Sequence, residues 1–152
     1  MADSILTPGQ RRLHLALMAM AVFMTGNAAY LFAARLLAGE SYVSALTRFY
    51  QSQLVLHVAV GIVVLLPMAV FVVWHMRRAL AMHNRRAVWT GVAVTAATVA
   101  LFVTGLFLFQ KANSAENRWA FIAHQVMALV ASLGYVVHRF ISHHKPQAWA
   151  VR

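Results

Sequence analysis

Four histidines carry the chemistry open to this sequence. His57 and His75 lie in one apolar stretch and His124 and His138 in another, and an imidazole in hydrocarbon is costly unless its nitrogens are hydrogen-bonded or hold a metal. His124 and His138 are 14 residues apart. On a helix that is ~21 Å and about 40° short of four full turns, so the two share a face. His57 and His75 are 18 apart, which is ~27 Å and five whole turns, and they too share a face. Cys is absent, which excludes disulfides, thiolate metal sites, iron–sulfur clusters and covalent c-type haem attachment. A metal centre here must use histidine, methionine or oxygen. The only acids, Asp3, Glu40 and Glu116, all lie outside the apolar stretches, which counts against a proton or metal relay of the kind transporters build from intramembrane carboxylates.

The elements that must position these histidines follow from composition. With 62% hydrophobic and 11% charged residues and a mean hydropathy of +0.68, the chain has too little polar surface to be wetted by water, and lipid is its solvent. Apolar runs at 13–34, 54–75, 88–109 and 119–141 each suit one membrane crossing. The short connections make sequential helices antiparallel. The expected fold is all-α: an integral membrane four-helix bundle, up-down-up-down, forming one domain over 1–152. The first connection, Arg35 to Gln53, carries Tyr42, Leu46, Phe49 and Tyr50 and reads as a short amphipathic helix at the interface. Trp74, Trp89, Trp119 and Trp149 fall at or beyond span ends, where indoles prefer the headgroups. No internal repeat or low-complexity segment stands out.

The net charge of +10 is not that of a nucleic-acid binder, because the cations border apolar runs. Arg11, Arg12, Arg77, Arg78, Arg85, Arg86, Arg139, Lys145 and Arg152 share one side against Arg35, Arg48, Lys111 and Arg118 on the other. The positive-inside rule then places both termini in the cytoplasm, in a multi-pass protein of the cytoplasmic (inner) membrane. Arg11-Arg12 before an apolar run resembles a secretion signal, but the run is too long for a signal core and has no convincing cleavage site.

Helices two and four should run parallel. His57 and His124 then lie near the outer face, and His75 and His138 near the inner face, each pair placed to give both axial bonds to a haem between facing helices. The unequal spacings leave a mismatch of ~6 Å, which weighs most on His75 and which a kink at Pro67 and helix tilt would reduce. Gly91 and Gly105 on the third run are also 14 apart, Gly61 lies one turn after His57 and Gly134 one turn before His138. All four fall near the two levels, where a flat macrocycle needs close backbone approach, although small residues also line ordinary helix contacts in membranes.

These residues resemble the four-helix di-haem core of membrane-bound b-type cytochromes. The likeness rests on AHQVMALVASLGYVVHRF with His124 and His138, on LHVAVGIVVLLPMAVFVVWH with His57 and His75, and on the glycine pair of the third run. It covers the four spans and implies bis-histidine ligation of two b haems stacked across the bilayer. The 18-residue spacing departs from the 14 such cytochromes commonly use on both helices. Among the other histidines, His14 is an alternative inner ligand, while His83 and the pair His143-His144 suit propionate, lipid phosphate or water. Arg77, Arg78 and Arg139 flank the inner level as propionate partners, with ordinary positive-inside anchoring as the plainer role. Arg48, Lys111 and Arg118 correspond at the outer level. Asn27, Gln53, Gln125 and Tyr135 are conceivable lining groups for a quinone.

The expected function is an electron-transfer subunit of an oxidoreductase complex, passing electrons between a redox partner on the outer, periplasmic face and the membrane quinone or quinol pool. That partner would be a c-type cytochrome or another redox protein. With no soluble domain for a second redox centre, the chain should work in a hetero-oligomer. The alternatives are a free-standing oxidoreductase for a small reductant, a histidine-containing transporter subunit, or a non-redox membrane anchor whose histidines hydrogen-bond between helices.

Overall fold

The computed structural model describes residues 7–38, 44–81, 84–112 and 114–143. Among these, four α-helices and no strand are found: α1 (Pro8–Ala38), α2 (Ser44–Ala79), α3 (Arg85–Lys111) and α4 (Arg118–His143). Each holds an apolar segment of 25 to 33 residues, ample for ~30 Å of hydrocarbon at ~1.5 Å per residue. Their surfaces are those of lipid-facing helices. Leu66 is 70% exposed and Val22 68% exposed, while Leu17, Val64, Ala97 and Ala120 are the buried apolar residues among those described. In water that distribution would be ruinous, and in lipid it is ordinary, because acyl chains solvate leucine as well as a protein core does.

Local chemistry sets the helix ends. Thr7 and Gln10 form a capping box: Thr7 Oγ1 accepts from the Gln10 N–H at 3.3 Å and Gln10 Oε1 accepts from the Thr7 N–H at 3.1 Å. Pro8 takes the first helical position, where its missing N–H is no loss. Asn84 caps α3 by accepting from the Ala87 N–H at 3.2 Å. In the α3–α4 connection the Asn117 amide donates to the Lys111 carbonyl at 3.2 Å and to Ser114 Oγ at 3.0 Å.

The helices outrun the expected spans at both ends. Residues 35–38 continue α1 and the stretch from Ser44 onward is the first turns of α2, so among the described residues the first connection forms no separate interfacial helix. Phe49 and Tyr50 lie on α2 itself. Tyr42 lies outside the described residues, as do His83, His144 and Trp149, and the side chains of Leu46 and His143 are likewise outside them. Pro67 sits within α2 without ending it. Its ring removes the N–H that would have bonded the Val63 carbonyl, a loss one helix turn absorbs when its neighbours stay paired.

The chain divides into two compact units, 1–73 and 74–152. In the first, α1 and α2 are antiparallel: Tyr30 meets Phe49, Asn27 meets His57, Met24 meets Gly61 and His14 meets Phe71. In the second, α3 and α4 are antiparallel, with Phe107 against Trp119, Thr104 against His124, Val94 against Gly134 and Thr90 against His138. The last residues of α2 belong to this unit, where Thr95 Oγ1 lies 3.9 Å from Met76 Sδ.

Candidate functional site

In the second unit, His124 and His138 project from α4 onto α3 and meet the same arrangement twice. His124 Nδ1 lies 3.1 Å from the Leu101 carbonyl and 3.2 Å from Thr104 Oγ1. His138 Nδ1 lies 3.1 Å from Thr90 Oγ1, and its ring is also hydrogen-bonded to the Ala87 backbone. Each ring then rests on a glycine: a Cβ added at Gly105 would come within 3.0 Å of His124 Cε1, and one at Gly91 within 3.1 Å of His138 Cε1. The carbonyl, hydroxyl and glycine are residues 101, 104 and 105 in one socket and 87, 90 and 91 in the other, each offset by the 14 residues that separate the histidines. Two heptads return a position to the seam between two packed helices, so one pairing register serves both levels.

The hydrogen bonds determine which ring nitrogen carries the proton. Thr104 Oγ1 donates to the Ala100 and Leu101 carbonyls, and Thr90 Oγ1 to those of Arg86 and Ala87. Threonine in an apolar helix bonds its own backbone in this way because no water is at hand. With its single proton spent, the hydroxyl offers only a lone pair to the histidine, and a backbone carbonyl can only accept. Nδ1 therefore donates in both histidines, and in the neutral ring Nε2 keeps its lone pair.

His57, in the first unit, reaches the same state by other means. Its Nδ1 lies 2.9 Å from Asn27 Oδ1. The Asn27 amide nitrogen donates to the Gln53 backbone carbonyl at 3.2 Å and to Gln53 Oε1 at 2.7 Å. Because the backbone carbonyl cannot donate, the amide cannot be turned around, and Oδ1 must face the ring. The imidazole again donates through Nδ1, so in the neutral ring Nε2 carries no proton. Asn27 is 5% exposed, so this bridge is shielded and each of its bonds matters. Asn27 and Gln53 are thus both tied to His57.

His75 stands against His138, with ring centroids 6.4 Å apart and planes at 89°. Despite the 18-residue spacing, His75 and His138 are brought together at that distance. His14 stacks on Phe71 with centroids 5.3 Å apart and planes 23° apart, an aromatic contact within the α1–α2 pair. No group of three or more His, Cys, Asp or Glu converges among the described residues.

The remaining candidates are placed as follows. Gly91 and Gly105 make room for the imidazoles, a Cβ added at Gly134 would lie 3.1 Å from Val94 Cγ2, and one at Gly61 would lie 3.8 Å from Met24 Cε. Arg77 and Arg78 lie in the last turn of α2, and Arg139 follows His138 on α4; all three are exposed. Tyr135 lies on α4 one turn before His138, and Gln125 adjoins His124. Thr90 and Thr104 were missed as functional residues by sequence reasoning, though a signal existed in the dipeptide Thr-Gly recurring at the histidine interval. Comparisons with protein families, with curated proteins and with solved structures find no match to this chain.

Proposed function

We propose that this chain is a membrane b-type cytochrome that carries electrons across the bilayer. The observation that carries the reading is the pair His75 and His138, whose ring centroids stand 6.4 Å apart, near enough that the two imidazoles would together hold the iron of a bound haem. The tautomers support it. In metal sites a ligating histidine typically donates its other ring N–H to a carbonyl or a comparable acceptor, which fixes the ring and raises its basicity, and His57, His124 and His138 are all held in that state. Since His124 occupies a socket equivalent to that of His138, a second level about 21 Å along α4 is equally prepared.

Haem, when bound, supplies a one-electron iron couple whose potential is tuned by axial ligation, hydrogen bonding and burial. The chain's own part is to present four imidazole nitrogens at two depths, to exclude water with its apolar helices, and to offer Arg77, Arg78 and Arg139 to the carboxylates at the inner level. The partners proposed are an outer-face redox protein and a quinone, within a hetero-oligomer whose termini face the cytoplasm.

A dithionite-reduced minus oxidised spectrum of the purified protein, with haem counted as the pyridine complex, tests this. About two b haems per chain are expected. H75A and H138A should each lose the same single haem, and a folded wild-type protein that binds none would overturn the proposal in favour of a non-redox anchor.

A further inference from the structure

The two α3 sockets do more than accept a proton. An imidazole held by a single hydrogen bond can still turn about the axis of that bond. His124 Nδ1 has two acceptors, the Leu101 carbonyl and Thr104 Oγ1, in different directions, and His138 has Thr90 Oγ1 and the Ala87 backbone. Two anchors on each ring, with no room for a Cβ at the glycine facing Cε1, leave each ring one orientation about its own axis. The hydroxyls can serve in this way because each is itself pinned, through its donated proton, to the helix backbone.

We infer that Thr90 and Thr104 are positioning residues that set the plane of the His138 and His124 rings, and through it the electronic state of any iron those rings ligate. The inference rests on the haem reading above. At the inner level the consequence is specific, because His75 and His138 have planes at 89° to each other. Perpendicular imidazoles bond equally to the two iron dπ orbitals and leave them nearly degenerate, whereas parallel ones split them. A ferric low-spin centre held between His75 and His138 in these ring planes would show a strongly axial, large-g resonance rather than a rhombic one. Thr90 maintains the condition for it.

The test is electron paramagnetic resonance of the ferric holoprotein, with haem counted in the same samples, for wild type, T90V, T90S and T98V. Thr98 is the control: it lies on the same helix and its hydroxyl bonds the Val94 carbonyl. Valine keeps the shape of threonine but has no acceptor, while serine keeps the acceptor. The expected result is a full haem complement in all four proteins, with the large-g signal broadened or replaced by a rhombic one in T90V alone and restored in T90S. Loss of one haem in T90V, with T90S and T98V intact, supports the same role. A T90V spectrum identical to wild type at full haem content would overturn the positioning role and leave the cytochrome reading standing. Equal damage in T90V, T90S and T98V would also overturn it, as a general packing effect. A wild-type protein without haem would overturn both.

Discussion

Replacing Gly105 by alanine puts the socket to a quantitative test. The new Cβ would lie 3.0 Å from His124 Cε1, against an optimum carbon–carbon separation of about 3.5–4.0 Å. The ring would have to withdraw by roughly 0.5 Å to relieve the contact. It is not at liberty to do so, since its Nδ1 bonds to Leu101 and Thr104 are already 3.1 and 3.2 Å long. A retreat of that size carries both past about 3.5 Å, where little hydrogen bond remains. Either the ring stays and the overpacking costs about 1–3 kcal/mol, or it moves and forfeits two bonds worth about 0.5–1.5 kcal/mol each. Both routes lead to the same range. Against this stands the better helix propensity of alanine, about 1 kcal/mol, and the variant G26A isolates that term, because nothing lies within 4 Å of a Cβ at Gly26. G105A should therefore be less stable than G26A by about 1–3 kcal/mol, a gap of roughly 2–12 °C in Tm for a chain of this size. Thermal unfolding in detergent, followed by circular dichroism, measures it. Equal melting temperatures, or a G105A protein more stable than G26A, would refute the claim that His124 is held tightly against α3.

Three further outcomes are expected. N27L strands the His57 Nδ1–H, so it should destabilise the protein by about 1–3 kcal/mol and lower haem content at one level only; an unchanged melting curve would show that this bridge contributes nothing. The chain has no cysteine, so A81C, in the α2–α3 turn, and S114C, in the α3–α4 connection, report orientation cleanly. Ala81 and Ser114 are both exposed, and the positive-inside assignment requires A81C to be labelled from the cytoplasmic side and S114C from the opposite one; the reverse pattern would invert the topology. G91A should resemble G105A in stability while acting on the other haem level, since its Cβ would lie 3.1 Å from His138 Cε1; a spectroscopic effect at the same level as G105A would contradict two separate sockets.

Composition and hydropathy were enough to reveal the four helices, because a segment that crosses lipid must satisfy its backbone internally and be apolar throughout, and both demands are written residue by residue. The positions of His57, His75, His124 and His138 on helix faces followed from the 3.6-residue period alone. The glycines at 91 and 105 were visible for the same reason, yet what they make room for in the structure is the imidazoles of α4, a contact that belongs to helix pairing and has no signature within α3. The ends of α2 were misjudged because Ser44 to Gln53 is less apolar than the span it continues, and helix propensity and hydropathy need not stop together. Asn27 and Gln53 looked like isolated polar groups available to a ligand. Only the antiparallel register of α1 and α2 brings them to His57 and uses up their bonds. Likewise Thr90 and Thr104 are ordinary threonines until α4 lies alongside. Ring tautomers, second anchors and the 6.4 Å approach of His75 to His138 are relations between helices, and packing in the membrane, where side-chain shape and a few hydrogen bonds decide the register, is what sets them.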